Sequence, residues 1–272
     1  MKKKLNYLCV IVFGWLMVSG EWLVREDGSE EYVLVFHDEF SGRNGSQPDS
    51  TKWRRSQRNP SAWARWISNS PDVVRVKNGK LICRAIPNRT EVGDTAQMLT
   101  GAIESTGKFS FQYGKVEVRM RTNLKQGNFP AAWMKPEQGR DNRYGEIDIV
   151  EMFGNVNKSH HTIHTHQTYT LKKKKPTNFE RTLKVNRWHV YGIVWTPDYI
   201  EWTVDGQSVG VYRRSSAESD VSEGQWTFDR PFYLRLNQSV GNGVAKHFIA
   251  QTSEVYETEF DWVRVYQKKV KR

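Results

Sequence analysis

Cysteine is almost absent from this sequence: its 272 residues include only Cys9 and Cys83. Cys9 lies in an N-terminal segment that we expect to be removed, so one thiol would remain and no disulfide could form within the chain. No group of cysteine and histidine residues has the spacing of a zinc site, and we predict no metal ligands. A domain of about 250 residues without crosslinks has to be stabilised by its hydrophobic core, which a chain of this length can build.

Long apolar runs are also lacking, apart from Leu5 to Val18. Three lysines precede this run and Ser19-Gly20 follows it, a pattern typical of a signal peptide. The run is too short to favour a membrane span. We predict a signal peptide over residues 1–20, export to the periplasm, the cell surface or the medium, and one domain over residues 21–272 without an integral membrane segment. The alternative is an uncleaved N-terminal anchor.

Acidic residues are outnumbered, 30 against 41 lysines and arginines, which gives a formal charge of +11. Much of the excess lies in two runs, Lys172–Lys175 and Lys268–Arg272. Such runs are usually a solvated loop and tail, and the alternative is attraction to an anionic polymer. No nucleic-acid-binding motif accompanies the charge, so we expect no nucleic-acid partner, and we expect a monomer.

Helix signals are missing as well, whereas strand patterns and turn signals recur at short intervals. Gly114 to Arg121 alternates charged and apolar residues, as a strand with one solvated face does. Asn78-Gly79 and Asp205-Gly206 are typical hairpin turns. We predict a single all-β sandwich or barrel.

The stretch from Gly145 to Met152 carries three carboxylates among β-branched and apolar residues. Side chains alternate along a strand, so Glu146 and Asp148 share one face. Strict alternation would place Glu151 on the apolar face, where an unpaired carboxylate is costly. A one-residue β-bulge near Ile149–Val150 would return Glu151 to the acidic face, and bulges are common beside active sites.

Paired carboxylates on a rigid sheet suit glycoside hydrolysis, in which one acts as nucleophile and the other as general acid and then base. Crowding three acids also separates their pKa values, because a negative charge disfavours ionisation of its neighbour. The alternative interpretation is an acidic strand face that simply points into solvent.

Further segments in the same order along the chain strengthen the catalytic interpretation. They are His37–Gly42, Tyr113–Arg119, Phe129–Pro136, Trp188–Pro197 with Val204-Asp205-Gly206, Leu236–Gly241 and Asp261–Tyr266. With these segments the chain, from about Val33 to Tyr266, resembles glycoside hydrolase family 16, in its laminarinase-like branch with the bulged E-x-D-x-x-E strand. The resemblance implies a β-jelly-roll sandwich of two antiparallel sheets, a concave glycan-binding cleft and retaining endo-hydrolysis.

The resemblance also implies roles for individual residues. Glu146 would be the nucleophile and Glu151 the acid/base, while Asp148 would hydrogen-bond the nucleophile. Trp133 would form an apolar platform, with an ordinary core tryptophan as the alternative. His164 would lie close to the acids, with a structural histidine as the alternative.

The resemblance implies no required cofactor. A structural calcium near Asp38 and Asp261 is known in similar proteins, and nothing in the sequence requires it.

The substrate prediction depends on two departures from glucan-cleaving relatives, one before the nucleophile and one in the late Leu236–Gly241 segment. We rank a β-1,3(4)-glucan first and a galactose-containing polymer, such as agar, porphyran or mucin-type glycans, second. The candidate binding residues are Trp133, His164, Tyr144, Arg143, Asn237, Gln238, Trp63 and Trp66.

Charged residues could extend this substrate range. Arg140, Arg143 and the lysine run could serve a sulphated or sialylated polymer, or could be loop charges outside the cleft. The non-enzyme alternatives are a jelly-roll lectin, for which three mutually repelling acids would be useless, and a basic wall protein that binds polyanions.

Overall fold

The computed structural model describes residues 16–18, 21–26, 30–89, 93–137, 143–241 and 250–269, with side chains from residue 31 onward. These residues form two antiparallel sheets. The first sheet contains β1 (Leu16–Val18), β2 (Glu21–Glu26), β3 (Glu30–Asp38), β5 (Val74–Val76), β6 (Leu81–Pro87), β8 (Gly114–Thr122), β13 (His189–Trp195), β14 (Tyr199–Val204), β15 (Gln207–Arg213) and β17 (Tyr256–Lys268). The second contains β4 (Arg54–Arg55), β7 (Met98–Glu104), β9 (Asn128–Pro136), β10 (Gly145–Glu151), β11 (Lys158–Thr165), β12 (Thr177–Thr182) and β16 (Phe232–Val240).

Strands far apart in sequence are neighbours in both sheets. The first sheet runs β1-β2-β3-β17-β8-β13-β14-β15, and β6, with β5 at its edge, pairs with the other end of the long β17. The second runs β4-β7-β16-β9-β10-β11-β12, and a short β6–β7 pairing joins the two sheets. The acidic strand β10 therefore lies inside its sheet, flanked by β9 and β11.

The hydrophobic core lies between the two sheets. From the second sheet it takes the apolar side chains of β10, such as Ile147 and Ile149, which are fully buried. From the first sheet it takes large aromatic side chains, including Tyr191 and Trp202, which are also fully buried. The opposite, outer face of the second sheet is thereby left for polar side chains. The predicted all-β jelly-roll sandwich is confirmed.

Both predicted hairpin turns are present. Asn78 and Gly79 have φ values of +52° and +66° between β5 and β6. Asp205 and Gly206 have φ values of +51° and +76° between β14 and β15. Asparagine, aspartate and glycine tolerate this left-handed region better than other residues, which is why these dipeptides occupy the turns.

Helical structure in the described residues is limited to one π-helical turn, His166–Thr170, and one short α-helix, α1 (Glu218–Ser222). Gln167 of the turn donates to Asp220 at 2.9 Å and to Glu223 at 2.8 Å, which holds the segment after β11 against α1. None of the helices described here is long and apolar enough to cross a membrane.

The predicted signal peptide lies mostly outside the described residues. Within it, β1 pairs with β2 in the register Leu16 to Leu23. Cleavage after residue 20, and the domain limits that depend on it, stay predictions.

Candidate active site

The acidic strand β10 contains the predicted bulge. Against β9, the register passes from Asp148–Trp133 to Val150–Ala132, so Ile149 is the extra residue. Asp148 and Glu151 are within side-chain hydrogen-bonding distance of each other, which places both carboxyl groups on the outer face of the sheet. The bulge turns Glu151 to the same face as Glu146 and Asp148. This outcome is expected from the cost of burying an unpaired carboxylate in the core.

Two side chains from neighbouring elements hold the bulge. The indole Nε1 of Trp202 donates to the carbonyl oxygen of Asp148 at 2.8 Å. The Nδ1 of His161 lies 2.7 Å from the carbonyl oxygen of Ile149, and since a carbonyl only accepts, Nδ1 carries the hydrogen. Burial lowers the pKa of His161 to about 4, so this histidine is neutral and structural near pH 7.

Glu146 is surrounded by donors. The phenol oxygen of Tyr144 donates to its Oε2 at 2.7 Å, and the Nζ of Lys135 lies 3.4 Å from the same oxygen. The Nε2 of His164 lies 3.7 Å from Glu146 Oε1 and 3.4 Å from Asp148 Oδ2. His164 is thus close to the acids, as predicted. Tyr144, Lys135 and His164 thus lie around the carboxyl group of Glu146.

The other two carboxyl groups are pushed toward their neutral forms. Burial raises the pKa of Asp148 well above its usual value, and the charge of Glu146 raises it further. Burial also raises the pKa of Glu151, and the charges of Asp148 and Glu146 add to that effect. The cluster therefore combines a carboxyl group that is well supplied with donors and a carboxyl group whose pKa is raised by burial and by its neighbours. Such a difference in environment is what acid catalysis requires.

An aromatic stack supports Tyr144 from both sides. Its ring lies on Tyr169 with centroids 3.7 Å apart and planes at 12°, and Lys135 Nζ lies 3.5 Å from its centroid on the sheet side. Lys172 Nζ lies 4.5 Å from the Tyr169 ring. Sequence reasoning missed Lys135 and Tyr169. Lys135 was detectable, because it shares a strand face with Trp133 two residues earlier, whereas nothing in the sequence marked Tyr169.

Trp133 does not offer an open platform for a sugar. Only 5% of it is exposed, since the ring of Trp63 meets it edge-on at 4.9 Å and the Arg235 guanidinium lies 4.8 Å from its centroid. Its Nε1 donates to Asn237 Oδ1 at 2.8 Å. Asn237 is itself fully buried, so it orients the indole and is not positioned to contact a substrate directly. Trp63, which is half-buried, is the more accessible aromatic ring.

The prediction that Gln238 binds substrate is wrong. Its side chain lies on the core side of β16 and is fully buried. Its amide donates to Asn128 Oδ1 at 2.9 Å, and its Oε1 accepts from Thr258 on the other sheet at 2.6 Å. Alternation along β16 explains the outcome, because neighbouring residues of a strand face opposite sides.

Two further candidates lie away from the three carboxylates or at the surface. Trp66 packs against a separate apolar cluster that includes Met98 and Tyr256, with Arg65 stacked 4.2 Å from its centroid. Arg143 is exposed, and its carbonyl oxygen accepts a hydrogen bond from Arg230. Arg140 lies outside the described residues.

The lysine run is partly neutralised within the protein. Lys173 pairs with Glu223 at one end of α1, and Lys174 pairs with Asp220 at 2.7 Å. These ion pairs favour the structural interpretation for the middle of the run, while Lys172 is directed to Tyr169.

Two groups of residues are candidates for binding a cation. Ligand atoms of Glu146, Asp148 and His164 lie within 4.8 Å of one another, but the Lys135 ammonium already supplies positive charge there. Asp38, one of the two residues named above for a structural calcium, accepts from Phe40 N at 2.8 Å and Trp53 Nε1 at 2.7 Å. Asp261 is paired with Arg119. A calcium ion would have to displace these donors, so the side chains as arranged do not fit it.

A two-sheet β-sandwich with three clustered carboxyl groups on one sheet face defines a glycoside hydrolase of the jelly-roll class. The chain belongs to the glycosyl hydrolases family 16, whose family model matches residues 65–264. The resemblance inferred from the motifs is therefore confirmed.

Three similar proteins illustrate the range of the family. The keratan-sulfate endo-1,4-beta-galactosidase of Sphingobacterium multivorum is 33% identical over 87% of this chain, which spans 56% of that protein. The beta-glucanase of Rhodothermus marinus is 29% identical over 98% of this chain and 95% of its own length. The crystal structure of a non-specific endo-beta-1,3(4)-glucanase superposes with a TM-score of 0.76 at 29% identity, covering 88% of this chain and 92% of that one.

Proposed function

We propose that this protein is a retaining endo-β-glycanase that cleaves internal β-glycosidic bonds by double displacement. The observation that carries the proposal is the unequal environment of the carboxyl groups on β10. Glu146 has donors at 2.7 and 3.4 Å, whereas burial and two neighbouring acids raise the pKa of Glu151. One group is thus prepared to act as a nucleophile and the other as an acid.

In the first step, protonated Glu151 donates its proton to the glycosidic oxygen while Glu146 attacks the anomeric carbon. The leaving sugar departs as an alcohol, and a glycosyl ester of Glu146 remains. In the second step, the Glu151 carboxylate removes a proton from water, which attacks the anomeric carbon and releases Glu146. Tyr144 and Lys135 stabilise the carboxylate that re-forms on Glu146.

Two substrate classes have support. The sequence ranks a β-1,3(4)-glucan first, and the site leads us to reverse that order and to propose a galactose-containing glycan first. Lys135 lies beside Glu146, Arg235 lies over the ring of Trp133 on the same sheet face, and the face of Trp133 is covered. A relative named as a keratan-sulfate endo-β-galactosidase is 33% identical. The alternative, a β-1,3(4)-glucan, is supported by the glucanase relatives.

The test combines a polymer panel with one substitution. The wild-type protein is incubated with keratan-type glycans, mucin glycans, agarose, laminarin and mixed-linkage glucan, and products are sized by mass spectrometry. Glu146→Gln should abolish cleavage without a change in circular dichroism, while Glu201→Gln on β14 of the other sheet serves as the matched control. NMR identifies the anomer that forms first, and a β-anomer supports retention of the anomeric configuration. Inverted products or a fully active Glu146→Gln protein would refute the mechanism.

We also propose that the protein is exported and acts as a monomer. The support is the basic and apolar N-terminal sequence and the occurrence of the whole candidate site within one chain. N-terminal sequencing of protein recovered from the producing cells, together with sedimentation velocity, tests both points. A recovered protein that still begins at Met1 would contradict signal cleavage.

A further inference from the structure

Arg235 on β16 is the most unusual side chain near the carboxylates. Its guanidinium is surrounded by the rings of Trp133 at 4.8 Å, Trp63 at 5.0 Å and Tyr233 at 5.1 Å. We call these three rings the aromatic cage. Trp133 and Tyr233 are both less than a tenth exposed, so the cage removes water from much of the guanidinium. Aromatic faces attract such a cation, and lower hydration strengthens its other charge interactions.

A buried carboxylate orients this arginine through one edge only. Glu104, which is 2% exposed, accepts from Arg235 Nε at 2.8 Å. It also accepts from Arg54 Nε at 2.9 Å and from Ser56 Oγ at 3.2 Å. Two arginines therefore share one carboxylate, and the group carries a net positive charge.

The other edge of the guanidinium carries its two terminal amino groups, and these make no hydrogen bond to the residues that the structure describes. The side chain is nevertheless 17% exposed. A planar pair of donors, held rigid and partly dehydrated, matches the two oxygens of an oxyanion.

Strand register places Arg235 in the same row of the sheet as Asp148. Arg235 is opposite Trp133, and Trp133 is opposite Asp148, in one row across the second sheet. Adjacent strands are about 4.8 Å apart, so the row separates Arg235 from Asp148 by about 10 Å of backbone. Burial lowers the pKa of Lys135, and the charge of Arg235 adds to the lowering, as expected of two cations on one sheet face.

We propose that Arg235, within the aromatic cage, binds an oxyanionic substituent on a sugar unit next to the one that is cleaved. The substituent is a sulfate ester or a carboxylate, which present the same paired oxygens. This inference rests on the proposed glycanase function and defines its substrate further as an anionic glycan.

Binding is measured on an inactive variant, so that the proposed anion site is tested separately from the proposed glycanase activity. In the Glu146→Gln background, calorimetry measures the affinity for galactose–N-acetylglucosamine tetrasaccharides that are neutral, 6-O-sulfated or oxidised to a uronic acid. We expect the matching anionic form to bind about 10- to 100-fold more tightly than the neutral form, as hydrogen bonds to a charged group provide. The ratio of the affinity for the anionic form to that for the neutral form should decrease as the salt concentration rises. Preference for the sulfated or the oxidised form identifies the substituent.

Substitutions of Arg235 test whether this residue causes the preference for the anionic form. Adding Arg235→Met should bring the ratio close to 1, and Arg235→Lys should give an intermediate ratio, because lysine keeps the charge but not the planar pair of donors. Arg264→Met is the matched control, since Arg264 also pairs with a glutamate, Glu39 at 2.9 Å, and stacks 4.2 Å from Trp262, but on the first sheet. It should leave the ratio unchanged. Circular dichroism checks folding, and if Arg235→Met does not fold, the lysine variant decides.

Two results would overturn the inference: equal affinity for neutral and anionic forms in the parent, or an anionic preference that survives Arg235→Met. Cleavage of neutral glycans together with equal affinities refutes the anion site and leaves the glycanase function intact. Anionic preference in a protein whose wild type cleaves none of the polymers refutes the function and leaves the anion site intact.

Discussion

Replacing Asp148 by asparagine should move the basic limb of the pH–activity profile to lower pH. Asp148 is only 2% exposed, and its carboxyl group lies within hydrogen-bonding distance of Glu151. The amide keeps its shape and removes its charge. Since burial and then the charge of Asp148 raise the pKa of Glu151, the substitution should lower that pKa. Glu151 acts in its protonated form, so its proton would be lost at a lower pH and activity would decline earlier.

The size of the shift follows from the separation of the charges. Two unit charges about 4 Å apart interact by about 4 kcal/mol at an effective dielectric constant of about 20. This energy is the most that the charge of Asp148 could contribute to keeping the proton on Glu151. Because the pKa of Asp148 is itself raised, part of the population is already neutral and the contribution is smaller. At about 1.4 kcal/mol for each pH unit, we expect the basic limb to move by about 1 to 2 pH units.

The assay is kcat/KM on a soluble oligosaccharide as a function of pH, for wild type, Asp148→Asn and Asp198→Asn. Asp198 is an exposed residue between β13 and β14, so its substitution controls for the loss of one negative charge and should leave the limb in place. A basic limb of Asp148→Asn that stays at the wild-type position, or moves to higher pH, would refute the assignment of Glu151 as the acid whose pKa is raised by Asp148.

Three further predictions concern groups around the same strand and the core. Tyr144→Phe keeps the aromatic stack but removes the 2.7 Å hydrogen bond to Glu146, so kcat should fall about 10- to 100-fold. A glycosyl-enzyme adduct should then accumulate in quenched-flow mass spectrometry, and an unchanged kcat would contradict the role of Tyr144. Trp202→Phe leaves the carbonyl of Asp148 without its 2.8 Å donor, so the free energy of unfolding in urea should fall by about 1–3 kcal/mol, and equal stability would show that the bulge does not depend on this bond. Cys83 is fully buried, and burial raises its pKa to about 12, so an aromatic disulfide reagent should react with it only after unfolding; rapid reaction of the native protein would contradict its placement in the core.

Local sequence determined the parts of the site that depend on one strand or one turn. Alternation along β10 put Glu146 and Asp148 on one face, and the cost of a carboxylate in the core predicted the bulge that the register shows at Ile149. The same alternation could have shown that Asn237 and Gln238 face opposite sides. Positive φ values at Asn78 and Asp205 likewise follow from residue type.

Tertiary structure alone decided which groups surround those acids. The contacts of Glu146 with Lys135 and Tyr144, and the stacking of Tyr169, depend on how β9 and the segment after β11 pack beside β10. The covering of Trp133 by Arg235 depends on the register between β9 and β16. A period-two pattern specifies the face of a side chain within its own strand but contains no information about which distant strand lies alongside. The packing of the whole sandwich sets that pairing. It therefore also sets which groups a bound sugar would contact in this protein.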